Sequence, residues 1–428
     1  MEQAVILKLI KWTLIGLLIR LLIMPFSFHG SDIFWINYFP FQFIEGKLFD
    51  PYLYISENVT DAYSSYYLPV TFYLFLFFQF LFKPFLPKLN GLYSIFASWH
   101  FKWEGNTINY ADILIDQQLF RTLFFSKIPY LICDFVIGFI LFQILKEDKK
   151  KFFIALLVWV LNPFVLHSIY ALGQLDIIIA MFIILSLLAV KSDKPYFSIF
   201  CLSLGAGLKI VPLILIPALL IILGKSWRER FKLAVFAAAI FLLPLLPFFL
   251  SSKFAVFKLF GLHEIIMPMR RNIFIIGYTF LLVILYFLKR QNLDPFRAAL
   301  FSFVSILLFY YAVYDVRLRF FVWITPLLII AASQNKIFWL YNIIFFITLF
   351  ELRAAGSTQQ WGFFAALHPE FFSSLPVMDS YLNLIINVKY IHQVMYRLFI
   401  FFSLTMIMHL FIDNRDLFRF SFANLRKR

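Results

Sequence analysis

Apolar stretches long enough to cross a bilayer recur along almost the whole chain, and they are continuous, not alternating. A helix needs about 20 such residues to span hydrocarbon. With no water to satisfy the backbone there, only helices and closed barrels cross, and barrel strands alternate apolar with polar residues. The pattern therefore predicts an all-α, polytopic transmembrane bundle of about twelve spans. Candidate spans fall at 4–25, 119–145, 152–171, 175–190, 196–208, 211–223, 233–250, 273–288, 297–313, 320–334, 337–350 and 391–412.

Composition agrees. Of 428 residues 62% are hydrophobic and 14% charged, against roughly 45–50% and about 25% in soluble chains. Phenylalanine alone supplies 60 residues, and the mean hydropathy is +0.86. This excludes a soluble enzyme, a disordered chain, a DNA-binding domain and a disulfide scaffold. The net charge of +15 is read as the cytoplasmic Lys/Arg excess of a membrane protein, so no nucleic-acid partner is expected. Cys133 and Cys201 both sit inside apolar runs and are expected to be packed thiols.

Orientation follows from the short basic loops: Lys146 with Lys149 to Lys151, Lys191 with Lys194, Lys225 to Lys232, Lys289-Arg290, Lys336, and the tail from Arg415 to Arg428. All fall on one side only if the apolar stretch 67–87 does not cross. That stretch, with Pro69, Pro84 and Pro87, is expected to be interfacial or re-entrant. Residues 1–428 then form a single membrane domain with a large first external loop at 26–118 and a second at 351–390. The first span reads as an uncleaved signal anchor, with both termini cytoplasmic. A site is expected at the outer face, beneath the long outer loops.

Several residues there are able to carry chemistry. Asp32, in His29-Gly30-Ser31-Asp32, sits at the mouth of the first span. Partial desolvation raises a carboxylate pKa and suits it to act as a base; alternatively it caps the helix that follows. Asp134 lies within the run 119–145, where a charge is costly and faces a bundle interior; function and anchoring are both open. Lys127 and Arg121 near the outer mouth either touch an anionic head group or snorkel. Gly173-Gln174-Leu175-Asp176 makes a turn between two spans. Lys209 follows Gly205-Ala206-Gly207 and precedes Pro212, a break where a cation either meets a bound anion, most simply a phosphate, or packs and snorkels. Arg270-Arg271 and the pair Arg317 and Arg319 are further outward cations with forks that match phosphate oxygens. Together with Lys209 they form an expected cationic ring. His263-Glu264 shares a loop with Arg270, and Asn58-Val59-Thr60 is a glycosylation sequon by pattern. Asp50 and Asp61 are further acidic candidates. No P-loop, dinucleotide turn, His-Glu-x-x-His or paired-cysteine spacing is present, so no metal or cofactor is expected.

These motifs in this order resemble the GT-C glycosyltransferases, and within them the polyprenol-phosphate-mannose-dependent mannosyltransferases. The resemblance rests on Ser31-Asp32 with the aromatic stretch to Gly46 and Asp50-Pro51-Tyr52; on Lys127-x-Pro129 with Asp134; on Asn162-Pro163 and Gly173-Gln174-x-Asp176; on Lys194-Pro195, Gly205-x-Gly207-Leu208-Lys209 and Pro212; and on Trp323-x-x-Pro326. It covers about residues 30 to 330. One departure stands out: Tyr314-Asp315-Val316-Arg317 lies where a histidine is expected.

The resemblance implies a catalytic aspartate in the first external loop, at Asp32, and inverting transfer of a sugar, mannose in the nearest branch. The donor would be a polyprenyl-phosphate sugar and the acceptor a lipid or glycan. His29, Lys127, Asp134, Gln174, Asp176, Lys209, Arg270, Arg271, Arg317 and Arg319 are the candidate donor-phosphate and substrate contacts. A prokaryotic plasma membrane is the expected location. A lipid-linked oligosaccharide flippase and a polysaccharide polymerase or ligase are the alternatives. A flippase would concentrate ionisable groups at the bilayer midplane, whereas here most cluster at the outer mouths.

Overall fold

The computed structural model describes residues 3–29, 32–47, 49–53, 67–85, 118–251, 268–289, 294–314, 318–353, 364, 366–376, 380–381, 383–385 and 387–413. Every regular element among them is helical. Six helical stretches are long and apolar enough to cross a membrane: Leu119–Leu145, Lys149–Ala171, Trp227–Phe248, Met269–Phe287, Pro295–Val313 and Val388–Asp413. Gln3–Ile23 (α1) is comparably long but carries Lys8, Lys11 and Arg20. Asp32–Ile44 is α2, Pro69–Phe82 α3, Leu119–Leu145 α4 and Lys149–Val160 α5. Asp176–Lys191 is α6, Pro195–Ala206 α7 and Ile216–Leu223 α8. Trp227–Leu242 is α9, Pro268–Lys289 α10, Pro295–Val313 α11 and Thr325–Gln334 α12. Ile337–Arg353 is α13 and Val388–Asp413 α14.

Several expected spans are shorter or broken. The run 152–171 lies within one apolar stretch, but its ladder opens at Leu161-Asn162-Pro163 because Pro163 has no N–H to give. Asn162 caps the restart by accepting from the Val165 N–H at 3.2 Å. Residues 166–171 then form a π-helix, a wider turn that is often associated with functional sites. The expected span 211–223 begins as a 3₁₀ turn at Val211–Leu215. The expected span 320–334 begins as another at Leu318–Trp323. Pro212 is the second residue of the first turn, and Pro326 follows the second by three residues.

The bundle has two distinguishable ends. At one, lysines cap helix C-termini, where carbonyls lack partners and the dipole favours a cation. Lys191 Nζ donates to Ile144 O at 2.8 Å and lies 5.8 Å from the Phe296 ring. Lys289 donates to the carbonyls of Ile222 and Gly224. The loops 146–148, 192–194 and 224–226 gather there. Just outside a helix at this end, the Lys151 N–H and ammonium hold the Asp148 carboxyl below the usual range.

At the other end, α3 is seated against the break between α7 and α8. A Cβ on Gly207 would lie 2.4 Å from Val70 Cγ2, so only glycine permits this approach. Leu68 N–H and Thr71 Oγ1 both donate to Leu208 O. Away from that point α3 packs on the first half of α4 among the described ring contacts, Phe75 with Tyr130 and Phe82 with Phe125. It also crosses α2, where Gln79 donates to Asn37 Oδ1 at 2.7 Å.

The two cysteines are buried and unpaired with each other. Asp61, the Asn58 sequon, His263, Glu264, Arg317 and the tail beyond 413 lie outside the described residues.

Candidate functional site

The opposite end from the lysine caps is built by four turns. The first is Leu172–Leu175. Gly173 has φ of +78°, left-handed backbone that favours glycine. A Cβ there would also sit 3.1 Å from Ile33 Cδ1. Tyr130 donates to Gly173 O at 3.1 Å, and Gln174 N–H bonds Ser168 O. Gly173→Ala is therefore expected to destabilise the protein by about 1–3 kcal/mol. A thermal melt of the purified protein in detergent checks this; an unchanged midpoint would refute the packing argument.

The second turn begins α6. Asp176 is its first residue, where the helix dipole favours a carboxylate. The third is the break at 207–210, which carries Lys209. The fourth is the 3₁₀ turn 318–323, held by Tyr311 donating to Phe320 O at 2.7 Å. These turns converge on one carboxylate oxygen. Asp176 Oδ1 accepts from Lys209 Nζ at 2.8 Å and from Trp323 Nε1 at 2.7 Å. Lys209 Nζ also lies 5.0 Å from the Phe320 ring, 5.7 Å from Trp323 and 5.9 Å from Tyr67. An ammonium among ring faces is attracted by their negative quadrupoles. Beside it, Arg319 donates to Gln174 Oε1 at 3.1 Å and stacks over Phe320 at 5.1 Å.

Exposure separates the roles of the pair. The Asp176 side chain is fully buried while Lys209 keeps 12% of its own exposed. Lys209 therefore presents the charge, and Asp176 fixes it. The second oxygen, Asp176 Oδ2, is buried without a hydrogen-bond partner among the described residues.

Tyr67 is itself held from the short helical turn 51–53, since Tyr52 donates to Tyr67 O at 2.8 Å. Burial pushes the Tyr52 hydroxyl well above its ordinary pKa. Asp50 accepts from the N–H groups of Tyr52 and Leu53 and so caps that turn.

Of the sequence candidates, Gln174, Asp176, Lys209 and Arg319 come together here. His29 joins them through its backbone, with its N–H on Leu172 O at 3.1 Å. Asp32 begins α2 one residue before Ile33, which packs on Gly173; its side chain lies outside the described residues. Arg270 is half-buried and Arg271 exposed in the first turn of α10. Burial pushes the Tyr314 hydroxyl up and the charge of Arg271 opposes this, so Arg271 stands near the chain leading into the 318–323 turn.

Lys127 and Asp134 lie elsewhere. Lys127 is fully buried and neither snorkels nor faces a head group. Asp134 accepts from Arg20 Nε at 2.6 Å, Trp159 Nε1 at 2.7 Å and Tyr170 OH at 2.7 Å. Both of its oxygens thus accept from protein donors. Arg121 is exposed.

Sequence reasoning missed Arg20, Phe320 and Tyr67. A lone arginine inside an apolar run was the available signal for Arg20; ring positions at a turn carry none. Among the described residues, no group of three His, Cys, Asp or Glu side chains is arranged to hold a metal ion.

Helical throughout its described regular elements, with several helices long and apolar enough to cross a membrane, the chain fits the class of integral membrane proteins. Residues 130–273 are similar to glycosyltransferase family 87, a GT-C-type family of membrane glycosyltransferases. The match covers 144 of 428 residues and includes Gly173 to Asp176 and Gly205 to Lys209. It supports a membrane glycosyltransferase, with sugar donor and acceptor as substrates. Neither curated proteins nor solved structures gave a match.

Proposed function

We propose that this membrane glycosyltransferase moves a sugar, mannose in the first instance, from a polyprenyl-phosphate donor to a lipid or glycan acceptor. The observation that carries the proposal is the family match over the segment holding Asp176 and Lys209. The reaction face is the end of the bundle opposite the lysine-capped loops. That face would be the outer side of a prokaryotic plasma membrane, because short basic loops stay cytoplasmic.

In the proposed mechanism Asp32 takes the proton of an acceptor hydroxyl. The hydroxyl oxygen bonds to the anomeric carbon from the face opposite the phosphate. The anomeric C–O bond breaks and polyprenyl phosphate departs with the electron pair, inverting the centre. Lys209 and Arg319, with Arg270, Arg271 and Arg317 as further candidates, offset the charge that grows on the leaving phosphate. Fixed charges aimed at developing charge act strongly where water is excluded. Asp176 keeps Lys209 in place, and Gln174 does the same for Arg319.

The test is transfer from labelled polyprenyl-phosphate-mannose in membranes containing the full chain, beside Asp32→Asn at matched expression. The native chain is expected to transfer and Asp32→Asn to lose at least about a hundredfold. Normal transfer by Asp32→Asn would reduce Asp32 to a helix cap. No transfer by the native chain from any lipid-linked sugar tried would favour the flippase alternative.

A further inference from the structure

Among the described residues, the buried ammonium of Lys127 has no carboxylate in its hydrogen bonds. Its acceptors are the carbonyls of Met24, Ser27 and Tyr170 and the Ser27 hydroxyl. Met24 and Ser27 follow directly on α1, and Tyr170 is in the last turn of the π-helix 166–171. Helix ends leave carbonyls unpaired and carry the negative pole of the dipole. Lys127 therefore ties two such ends together with a cation. Ser27 Oγ reinforces the joint by approaching Ile23 O at 2.7 Å and Tyr170 O at 3.0 Å.

The two tied segments meet again just beyond this joint. Two residues past Ser27, His29 N–H bonds Leu172 O, which lies two residues past Tyr170. Gly173 then receives Ile33, the second residue of α2. We infer that Lys127 is a positioning residue: by clamping the ends of α1 and the π-helix, it sets where α2 begins and so where Asp32 stands. This inference rests on the proposed role of Asp32, and it reassigns Lys127 from substrate contact to clamp.

The test uses the full-length protein in membranes. Lys127→Met keeps the stem and removes the ammonium. It is expected to lower kcat for transfer from polyprenyl-phosphate-mannose by at least about tenfold, with KM for the donor changed by less than about threefold, as a displaced reacting group would. Ser27→Ala, a milder lesion of the same joint, is expected to act in the same sense and to fold if Lys127→Met does not.

A readout independent of activity is the rate of thiol labelling at Asp32→Cys, with Cys133→Ala and Cys201→Ala, before and after the lesion at the joint. The rate at position 32 is expected to change by at least about fivefold, while that at a control Leu384→Cys stays constant. An unchanged rate at position 32, or equal changes at both positions, would overturn the inference. The general-base reading fails separately, if Asp32→Asn retains transfer in the native background.

Discussion

Arg20→Met is expected to destabilise the protein by about 3–5 kcal/mol. The guanidinium bonds Asp134 Oδ2 through Nε, and through its Nη1 the carbonyls of Gly16 and Val160 at 3.0 and 2.7 Å. Val160 O is the last carbonyl of α5 before the Asn162-Pro163 break, so removing Arg20 takes a donor from it and leaves the Asp134 charge with only the neutral donors Trp159 Nε1 and Tyr170 OH. An unpaired buried charge costs far more than the pair contributes. The double variant Arg20→Met with Asp134→Leu removes both charges and is expected to recover much of the loss. Equilibrium unfolding in mixed micelles checks both. A single variant within about 1 kcal/mol of the native protein would show that the pair is not a fixed buried unit.

Lys209→Met is expected to lower transfer by about 10²- to 10³-fold, the usual result of removing one fixed group aimed at developing charge. Asp176→Asn retains an acceptor for Trp323 Nε1 but takes away the ionic partner of Lys209. It is expected to reduce transfer by moving Lys209 within its ring cage. Because the two side chains share one contact, the double variant should lose less than the sum, with a coupling of about 0.5–3 kcal/mol. Rates in matched membranes give the cycle directly. Strict additivity would mean that Asp176 acts independently of Lys209.

Fold class was legible because it depends on run length and composition, which a bilayer reads residue by residue. Span 119–145 matches α4 at both boundaries. The broken spans were less legible, although their causes are local: Pro163, Pro212 and Pro326 were visible, but a proline does not reveal whether a helix kinks, stops or restarts as a 3₁₀ turn. The site was partly legible. Gln174, Asp176, Lys209 and Arg319 lie up to 145 residues apart in sequence, yet each stood at a turn between apolar runs. Lys127 and Asp134 show the opposite case. A buried charge signals that something must partner it, but not whether the partner is a substrate or the protein's own carbonyls. Arg20 answered that question for Asp134, and it was hidden in a run read only as hydrophobic.

The helices that meet at the charged cluster are short, and this has a consequence for the surrounding lipid. α6 has 16 residues, about 24 Å of rise, against roughly 30 Å of hydrocarbon. α7 has 12 residues and α12 has 10, about 18 and 15 Å. A bilayer of ordinary thickness is then mismatched to this part of the bundle, and it must thin locally or leave a funnel above Asp176. In the proposed mechanism, either would bring the phosphate plane toward Lys209. Acyl-chain length in the host membrane would then control how readily a lipid-borne donor reaches the floor of the site.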